Sequence, residues 1–149
     1  MEIERKFLIK KLPDLTKYDY VDIEQGYLST DPVVRIRKKS DKYILTYKGG
    51  GMMAREEIEA ALSAEAYEHL ASKIDGHLIT KRRYLIPYGE YLIELDIFSG
   101  HMDGLIMAEV EFPTVEEANS FVIPDWFGDD VTYDSRYHNS NMIFNNPLK

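Results

Sequence analysis

The chain has 149 residues, of which 44% are hydrophobic, and carries a net charge of −8 with a pI near 5.0. This length suits one domain with its own core, and the acidic balance argues against non-specific binding to nucleic acid. The chain has no cysteine and no apolar run long enough to cross a membrane, which excludes disulfides, thiolate metal sites and a membrane-spanning helix. We therefore expect a cytoplasmic protein.

The first 60 residues read as antiparallel strands joined by short turns. Alternation of apolar and polar residues predicts strands at 2–9, 18–28, 33–38, 43–48 and 55–59. Turn residues separate the strands, and the glycines at 49–51 indicate a flexible loop. These glycines lack the lysine and hydroxyl residue of a phosphate loop, so we interpret them as a hinge.

The next 90 residues add two helices to a second group of strands. Ser63 fits a helix N-cap and Gly76 the end of that helix; strands are predicted at 77–87, 90–99 and 105–113. Thr114 begins a short second helix that Pro124 stops. From 131 to 147 we expect one more strand or turn and then a short terminal helix. The sequence predicts one α+β domain over 1–149, dominated by antiparallel strands.

Charged side chains recur at positions i and i+2 of these strands, which places them on one face. The first strand shows the pattern: Glu2, Glu4 and Lys6 together suit a divalent metal beside a phosphate. The full set contains eight carboxylates and six cations: Glu2, Glu4, Glu57, Glu59, Glu94, Asp96, Glu109 and Glu111 against Lys6, Arg35, Arg37, Lys48, Lys81 and Arg83.

Two structures could accommodate this charged face. In one, a sheet has a solvated face and a face packed under helices. In the other, an eight-stranded closed barrel turns the charges inward around one small ligand. Acids pair with acids and bases with bases along each strand, which is unfavourable without counter-ions. Inside a barrel the charges would need water, two divalent cations and a polyphosphate.

The motifs resemble those of the CYTH superfamily, the triphosphate tunnel metalloenzymes. The Glu-x-Glu-x-Lys start at Glu2–Lys6 is followed, in order, by the charged segments at 35–37, 45–49, 55–59, 81–84, 94–96 and 109–111, and by a similar ending at 130–139. The resemblance implies an eight-stranded antiparallel β-barrel with a few flanking helices. Two departures, Arg82 and His138, are expected to lie away from the charged face.

The same resemblance implies roles for the charged residues. The expected metal ligands are Glu2, Glu4, Glu109 and Glu111, with Glu57, Glu59, Glu94 and Asp96 behind them or at a second metal. The expected phosphate ligands are Lys6, Arg35, Arg37, Lys48, Lys81 and Arg83. We expect Glu4, Glu111 and Lys81 to act in catalysis. Mg²⁺ or Mn²⁺ is the natural ion for such oxygen ligands.

The predicted function is hydrolysis of inorganic tripolyphosphate to diphosphate and phosphate. The alternatives in the same fold are a class IV-type adenylyl cyclase, a thiamine triphosphatase and a nucleoside triphosphatase. A non-enzymatic polyphosphate- or nucleotide-binding module would keep the bases and lose the acids, whereas all eight acids are present. We expect a small-molecule triphosphate as substrate, no nucleic-acid or membrane partner, and a monomer or homodimer.

Overall fold

The computed structural model describes residues 2–51 and 53–148 as a strand-rich chain with three short helices. The strands are β1 (Glu2–Ile9), β2 (Asp19–Thr30), β3 (Val33–Lys39), β4 (Lys42–Lys48), β5 (Ala54–Arg55), β6 (Glu57–Leu62), β7 (Asp75–Tyr88), β8 (Tyr91–Ser99), β9 (Ile106–Glu111) and β10 (Phe127–Asp130). The helices are α1 (Ala64–Ala71), α2 (Val115–Ser120) and α3 (Asn139–Met142). Within the described ranges, no helix is both long and apolar enough to cross a membrane.

The strands pair antiparallel in the order β10-β1-β9-β8-β7-β2-β3-β4-β6. The sheet returns on itself because β5, separated from β6 by a single residue, pairs with β1 through Glu2–Arg55 and Ile3–Ala54. We call this junction the seam. The nearly closed antiparallel barrel confirms the predicted fold class.

The number of strands differs from the predicted eight. Residues 2–51 and 53–148 contain ten, because the strand predicted at 55–59 is interrupted at Glu56 and β10 adds a short strand beside β1. Counting β5 and β6 as one interrupted strand gives eight strands in the closed circuit, with β10 outside it. The first helix also ends at Ala71, earlier than the sequence indicated.

Buried apolar side chains pack in two clusters. The first surrounds Phe7 and Leu95 on the outer face of the barrel, beneath α2. The second includes Phe98 and Met107, which lie directly across from Lys81 and Asp96 on the inward face of the strands, and it packs against α3. Because side chains alternate along each strand, burying the first cluster outside leaves the charged set inside. The core therefore lies partly around the barrel and partly within it, beneath the C-terminal segment.

The segment after β10 covers one end of the barrel. No strand forms between 131 and 147, where the sequence allowed one; the segment instead makes a 3₁₀ turn at Ser135–Tyr137 and then α3. His77 donates its backbone N–H to the Ile143 carbonyl at 2.9 Å. Gly76 has φ +64°, and a Cβ there would lie 2.7 Å from the Ile143 oxygen, so this docking requires glycine.

Candidate active site

The bore of the barrel holds a cavity of about 160 Å³ lined almost entirely by polar groups. Twelve of the fourteen charged residues predicted for one face border it: Glu2, Glu4, Lys6, Arg35, Arg37, Lys48, Glu57, Glu59, Arg83, Glu94, Glu109 and Glu111. Strand alternation explains this convergence, since each strand contributes its inward positions. The open solvated face, which the sequence left as an alternative, is not the structure adopted.

Lys81 and Asp96, the remaining two of the fourteen, lie on the inward face of β7 and β8 beside Arg83 but do not border the cavity. Both side chains are fully buried, and Lys81 Nζ lies 2.8 Å from Asp96 Oδ2 without the alignment of a hydrogen bond. Burial alone would raise the pKa of Asp96, but the cations of Arg83 and Lys81 outweigh burial and hold this pKa below its usual value. Burial also lowers the pKa of Lys81 to about 8, against the attraction of Asp96.

Arg83 connects this buried pair to the cavity. Its Nε and NH2 donate to the two oxygens of Asp96 at 2.8 and 2.9 Å, and further bonds reach Glu94 at 3.2 Å and Glu109 at 3.4 Å. Burial would lower the pKa of Arg83, yet the surrounding carboxylates raise it well above its usual value. Three carboxylates therefore neutralise the cations on this side of the cavity. We call this group of charged residues the paired wall: Lys81, Arg83, Glu94, Asp96 and Glu109.

The β3 side presents cations whose polar partners are neutral, and we call Arg35 and Arg37 the open wall. Arg35 NH2 donates to Thr46 Oγ1 at 3.2 Å, and Arg37 Nε donates to Gln25 Oε1 at 2.8 Å. In the part of the chain that the structure describes, no carboxylate lies within ion-pair distance of either arginine. Burial, followed by repulsion from Arg35 and Arg83, lowers the pKa of Arg37 to about 9. The open wall is therefore short of negative charge.

An acidic cluster faces these cations from the strands around the seam. Glu4 lies directly opposite Glu111 in the β1–β9 register, and Glu2 follows on the same face. Burial and then repulsion from other carboxylates raise the pKa of Glu4 and of Glu111. Glu109 differs, because Lys6 and Arg83 overcome its burial and hold its pKa well below the usual range. The cluster at Glu2, Glu4 and Glu111 is thus short of positive charge.

The donor chemistry of this acidic cluster fits a divalent cation. Its ligands are carboxylate oxygens only, which suit Mg²⁺ or Mn²⁺ rather than a soft metal. Among residues 2–51 and 53–148, no three carboxylate or imidazole groups already converge at metal-binding distance. Part of the reason is visible at Glu2, whose two oxygens accept from Lys48 Nζ at 2.8 and 3.1 Å. A bound cation would displace this lysine from Glu2 or share the Glu2 carboxylate with it.

Several cavity residues were not predicted from the sequence. Tyr27, Lys39 and Arg55 line the cavity together with residues 138–140. The expectation that His138 lies away from the charged face is wrong: its Nε2 pairs with the Thr132 carbonyl at 2.8 Å and its ring borders the cavity. The docking of the C-terminal segment across the barrel end brings it there, and burial lowers its pKa. Of these residues, Lys39 alone could have been assigned to the cavity from the sequence, since it continues the i+2 series of Arg35 and Arg37.

Arg82, the second departure from the family pattern, lies outside the barrel as expected. Its guanidinium pairs with Asp22 at 2.9 Å and stacks over the Tyr20 ring at 4.1 Å, on the outer surface of β2 and β7. Its side chain is 45% exposed, which marks it as a surface residue.

Comparison with known proteins gives consistent results for sequence and structure. The model of the CYTH domain family matches residues 1–122. An inorganic triphosphatase from Nitrosomonas europaea is 38% identical over 98% of this chain and 99% of its own length. One from Acetivibrio thermocellus is 38% identical over 99% of this chain and 96% of its own length. A crystal structure of an inorganic triphosphatase superposes with a TM-score of 0.73 at 36% identity, covering 97% of this chain and 95% of that one.

Proposed function

This chain belongs to the CYTH domain family, and we propose that it is a metal-dependent inorganic triphosphatase that cleaves tripolyphosphate to diphosphate and phosphate. Two relatives that match it over nearly their whole length carry this activity in their names. The observation that carries the proposal is the separation of unbalanced charge in the cavity. Arginines that have no acidic partner among the described residues face carboxylates whose pKa is raised by burial and by one another. A polyanion and a cation together would therefore balance the site.

We propose that the phosphates bind to the open wall. A guanidinium presents a planar fork of donors that matches phosphate oxygens. Its positive charge is most available to a phosphate where no carboxylate neutralises it. Arg35 and Arg37 meet both conditions. The remaining proposed phosphate ligands, Lys6, Lys48, Lys81 and Arg83, contact acids in the structure, so they bind substrate as part of a neutralised network.

We propose that the acidic cluster holds the metal. Glu2, Glu4, Glu109 and Glu111 are the direct ligands in this proposal, with Glu57, Glu59 and Glu94 available to a second ion. Asp96 is buried behind Arg83, which supports a role in fixing that arginine rather than in touching metal. When bound, Mg²⁺ or Mn²⁺ neutralises phosphate oxygens and lowers the pKa of water.

The chain's own residues position the reactants. Hydrolysis of a phosphoanhydride needs in-line attack of water on a terminal phosphorus, departure of diphosphate, and stabilisation of charge on the transferred group. In this proposal Arg35 and Arg37 hold the phosphates, and a carboxylate of the facing pair Glu4 and Glu111 orients that water. Lys81 stays a predicted catalytic residue; its burial away from the cavity supports an indirect contribution through Asp96 and Arg83.

The lining of the cavity favours an inorganic substrate over the nucleotide and thiamine alternatives. Between residues 2 and 148, apart from 52, one phenol ring and one imidazole border the cavity, those of Tyr27 and His138. Neither a paired aromatic clamp nor an apolar pocket for an organic base is present in that lining. The presence of the full acidic set likewise favours catalysis over a binding module.

Other features remain predictions from the sequence. We propose that residues 1–149 form a single domain of this type, and that its substrate is a small-molecule triphosphate. A cytoplasmic location, a monomeric or homodimeric state and the lack of nucleic-acid and membrane partners rest on composition and charge alone.

A phosphate-release panel tests the proposed function. Purified protein is incubated with tripolyphosphate, ATP, GTP or thiamine triphosphate, each with Mg²⁺ or Mn²⁺ and with a chelator control, and cyclic AMP is measured in the ATP reactions. We expect metal-dependent release of phosphate with the highest kcat/KM on tripolyphosphate. Higher kcat/KM on a nucleotide, formation of cyclic AMP, or activity that survives the chelator would contradict the proposal.

A further inference from the structure

Two arginines of the cavity donate the same hydrogen bond to partners of different charge. Arg83 Nε donates to Asp96 Oδ1 at 2.8 Å, and Arg37 Nε donates to Gln25 Oε1, also at 2.8 Å. In both pairs the partner lies directly across on the neighbouring antiparallel strand. The geometry is matched, but one arginine is neutralised by a carboxylate and the other is held by an uncharged amide.

Gln25 is fully buried, and its amide orientation follows from its partner. A guanidinium can only donate, so the amide oxygen must face Arg37 and Nε2 must point away. In the described part of the chain Nε2 has no hydrogen-bond partner. A buried donor without a partner is unfavourable, whereas a glutamate of the same shape would leave no donor unused and would attract Arg37 more strongly. Hydrogen bonding by itself therefore favours glutamate at this position.

We propose that Gln25 is a positioning residue that fixes the direction of Arg37 while leaving its positive charge for a substrate phosphate. An amide aligns the guanidinium as a carboxylate would, but it does not compete with the incoming anion. The inference rests on the proposed function, since it takes the anion to be the triphosphate. It assigns to an uncharged residue part of the affinity for that substrate.

The substitution Gln25→Glu separates this role from a merely structural one. It keeps the shape and the hydrogen bond to Arg37, so a residue that only supports the fold would leave the kinetics unchanged. If Gln25 spares the charge of Arg37, the KM for tripolyphosphate should rise roughly tenfold or more, with kcat changing much less. The dissociation constant for tripolyphosphate without metal, measured by calorimetry, should rise by a similar factor. Ala64→Glu, which adds the same charge at the exposed start of α1, is the matched control and should leave both values unchanged.

A second substitution covers the case in which Gln25→Glu does not fold. Gln25→Met has a similar length and no hydrogen bond, so Arg37 keeps its charge but loses its alignment. We expect an increase of several-fold in KM, smaller than that of Gln25→Glu, and a circular dichroism spectrum like that of the parent protein. Wild-type KM and metal-free binding in either folded variant would overturn the inference.

Metal-free binding keeps this inference separate from the proposed function. If the parent protein releases no phosphate from tripolyphosphate, the function fails, but calorimetry still compares Gln25→Glu with Ala64→Glu. Tripolyphosphate binding that is weakened only by the Gln25 substitution supports the inference even then. Absence of tripolyphosphate binding by the parent protein overturns it.

Discussion

The open wall and the paired wall use similar cations for different ends. Arg83 and Lys81 surround Asp96 and are neutralised by acids, so their positions are fixed by the protein itself. Among the described residues, the side-chain hydrogen-bond partners of Arg35 and Arg37 are the uncharged Thr46 and Gln25. The difference shows that the partner of a cation decides its role. A cation paired with buried acids stabilises the barrel, whereas one paired with uncharged groups is available to bind an anionic ligand.

Breaking the paired wall should have the largest effect on stability. Asp96→Ala leaves two buried cations without their shared carboxylate, and removal of one partner from a buried ion pair costs about 3–5 kcal/mol of unfolding free energy. Urea denaturation followed by fluorescence measures this loss. Asp22→Ala, which removes the acid from the exposed pair with Arg82, is the control and should change the midpoint little. Similar losses in both variants would show that the paired wall is not a special stabilising unit.

The acidic cluster opposite the open wall should show the next largest effect, on turnover. Glu4→Gln and Glu111→Gln each remove a proposed metal ligand, and a lost group of this kind typically reduces kcat about 100- to 1000-fold. The fold should survive, because neutralising a carboxylate whose neighbours raise its pKa relieves repulsion. Phosphate release and thermal melting are measured together. Full metal-dependent activity in both variants would refute the assignment.

Filling the open wall with its ligand should stabilise the parent protein measurably. Tripolyphosphate and Mg²⁺ bind the folded chain, so at 100 times Kd they add about 2.7 kcal/mol to the free energy of unfolding. For a chain of this size the melting temperature should rise by roughly 5–10 °C. Sulfate at equal ionic strength is the control, since a merely solvated basic face responds to both salts alike. Equal shifts with sulfate and tripolyphosphate would count against an enclosed site.

Removing the cations of the open wall should weaken the use of substrate, measured as kcat/KM, more than it lowers the stability of the fold. Arg35→Ala and Arg37→Ala each delete charged hydrogen bonds, so kcat/KM should fall roughly 10- to 100-fold while the melting temperature stays near that of the parent. An increase in KM locates the contact in the bound substrate, and a decrease in kcat locates it in the transition state. An unchanged kcat/KM in both variants would mean that β3 does not contact the substrate.

The smallest effect is expected at an acid–arginine pair outside the cavity, between Asp130 and Arg5 at 2.8 Å. Burial opposes ionisation of Asp130, but hydrogen bonds from Thr132 and Arg5 outweigh it and lower the pKa of this carboxyl. The stabilisation is therefore present above the unfolded pKa of about 3.9 and is lost as pH falls through the lower folded value. Asp130→Asn should be less stable than the parent protein at pH 6, by under about 1 kcal/mol. The difference should shrink below pH 4, and a constant difference from pH 6 to pH 3 would contradict this account.

The sequence predicted the inward charges well because alternation along a strand fixes which face a residue takes. Alternation does not show how far along the barrel a side chain lies, and so it did not show that Lys81 and Asp96 are fully buried and do not border the cavity. It also gave no reason to single out Gln25 or Tyr27, since uncharged polar and aromatic residues are ordinary in strands.

The sequence also failed to predict β10 and the position of His138, because both depend on contacts between distant parts of the chain. β10 contains Gly128, Asp129 and Asp130, which do not favour strands, and forms because β1 offers it an edge. His138 reaches the cavity through docking of the C-terminal segment against residues about 60 positions earlier, such as Gly76 and His77. Contacts of such separation leave no periodic mark in the sequence.

The seam has a consequence for local opening of the barrel. On one side β1 pairs with β9 over five residue pairs. At the seam the described residues give two pairs between β1 and β5, with one further bond from the Glu4 N–H to the Met53 carbonyl. Amide protons exchange first where few hydrogen bonds must open together, so those of the seam should be the most readily exchanged of the barrel circuit. Glu2 belongs both to this junction and to the acidic cluster. We therefore expect occupancy of the bore to strengthen closure of the barrel, so that protection of the seam amides from solvent deuterium should rise when the bore is filled.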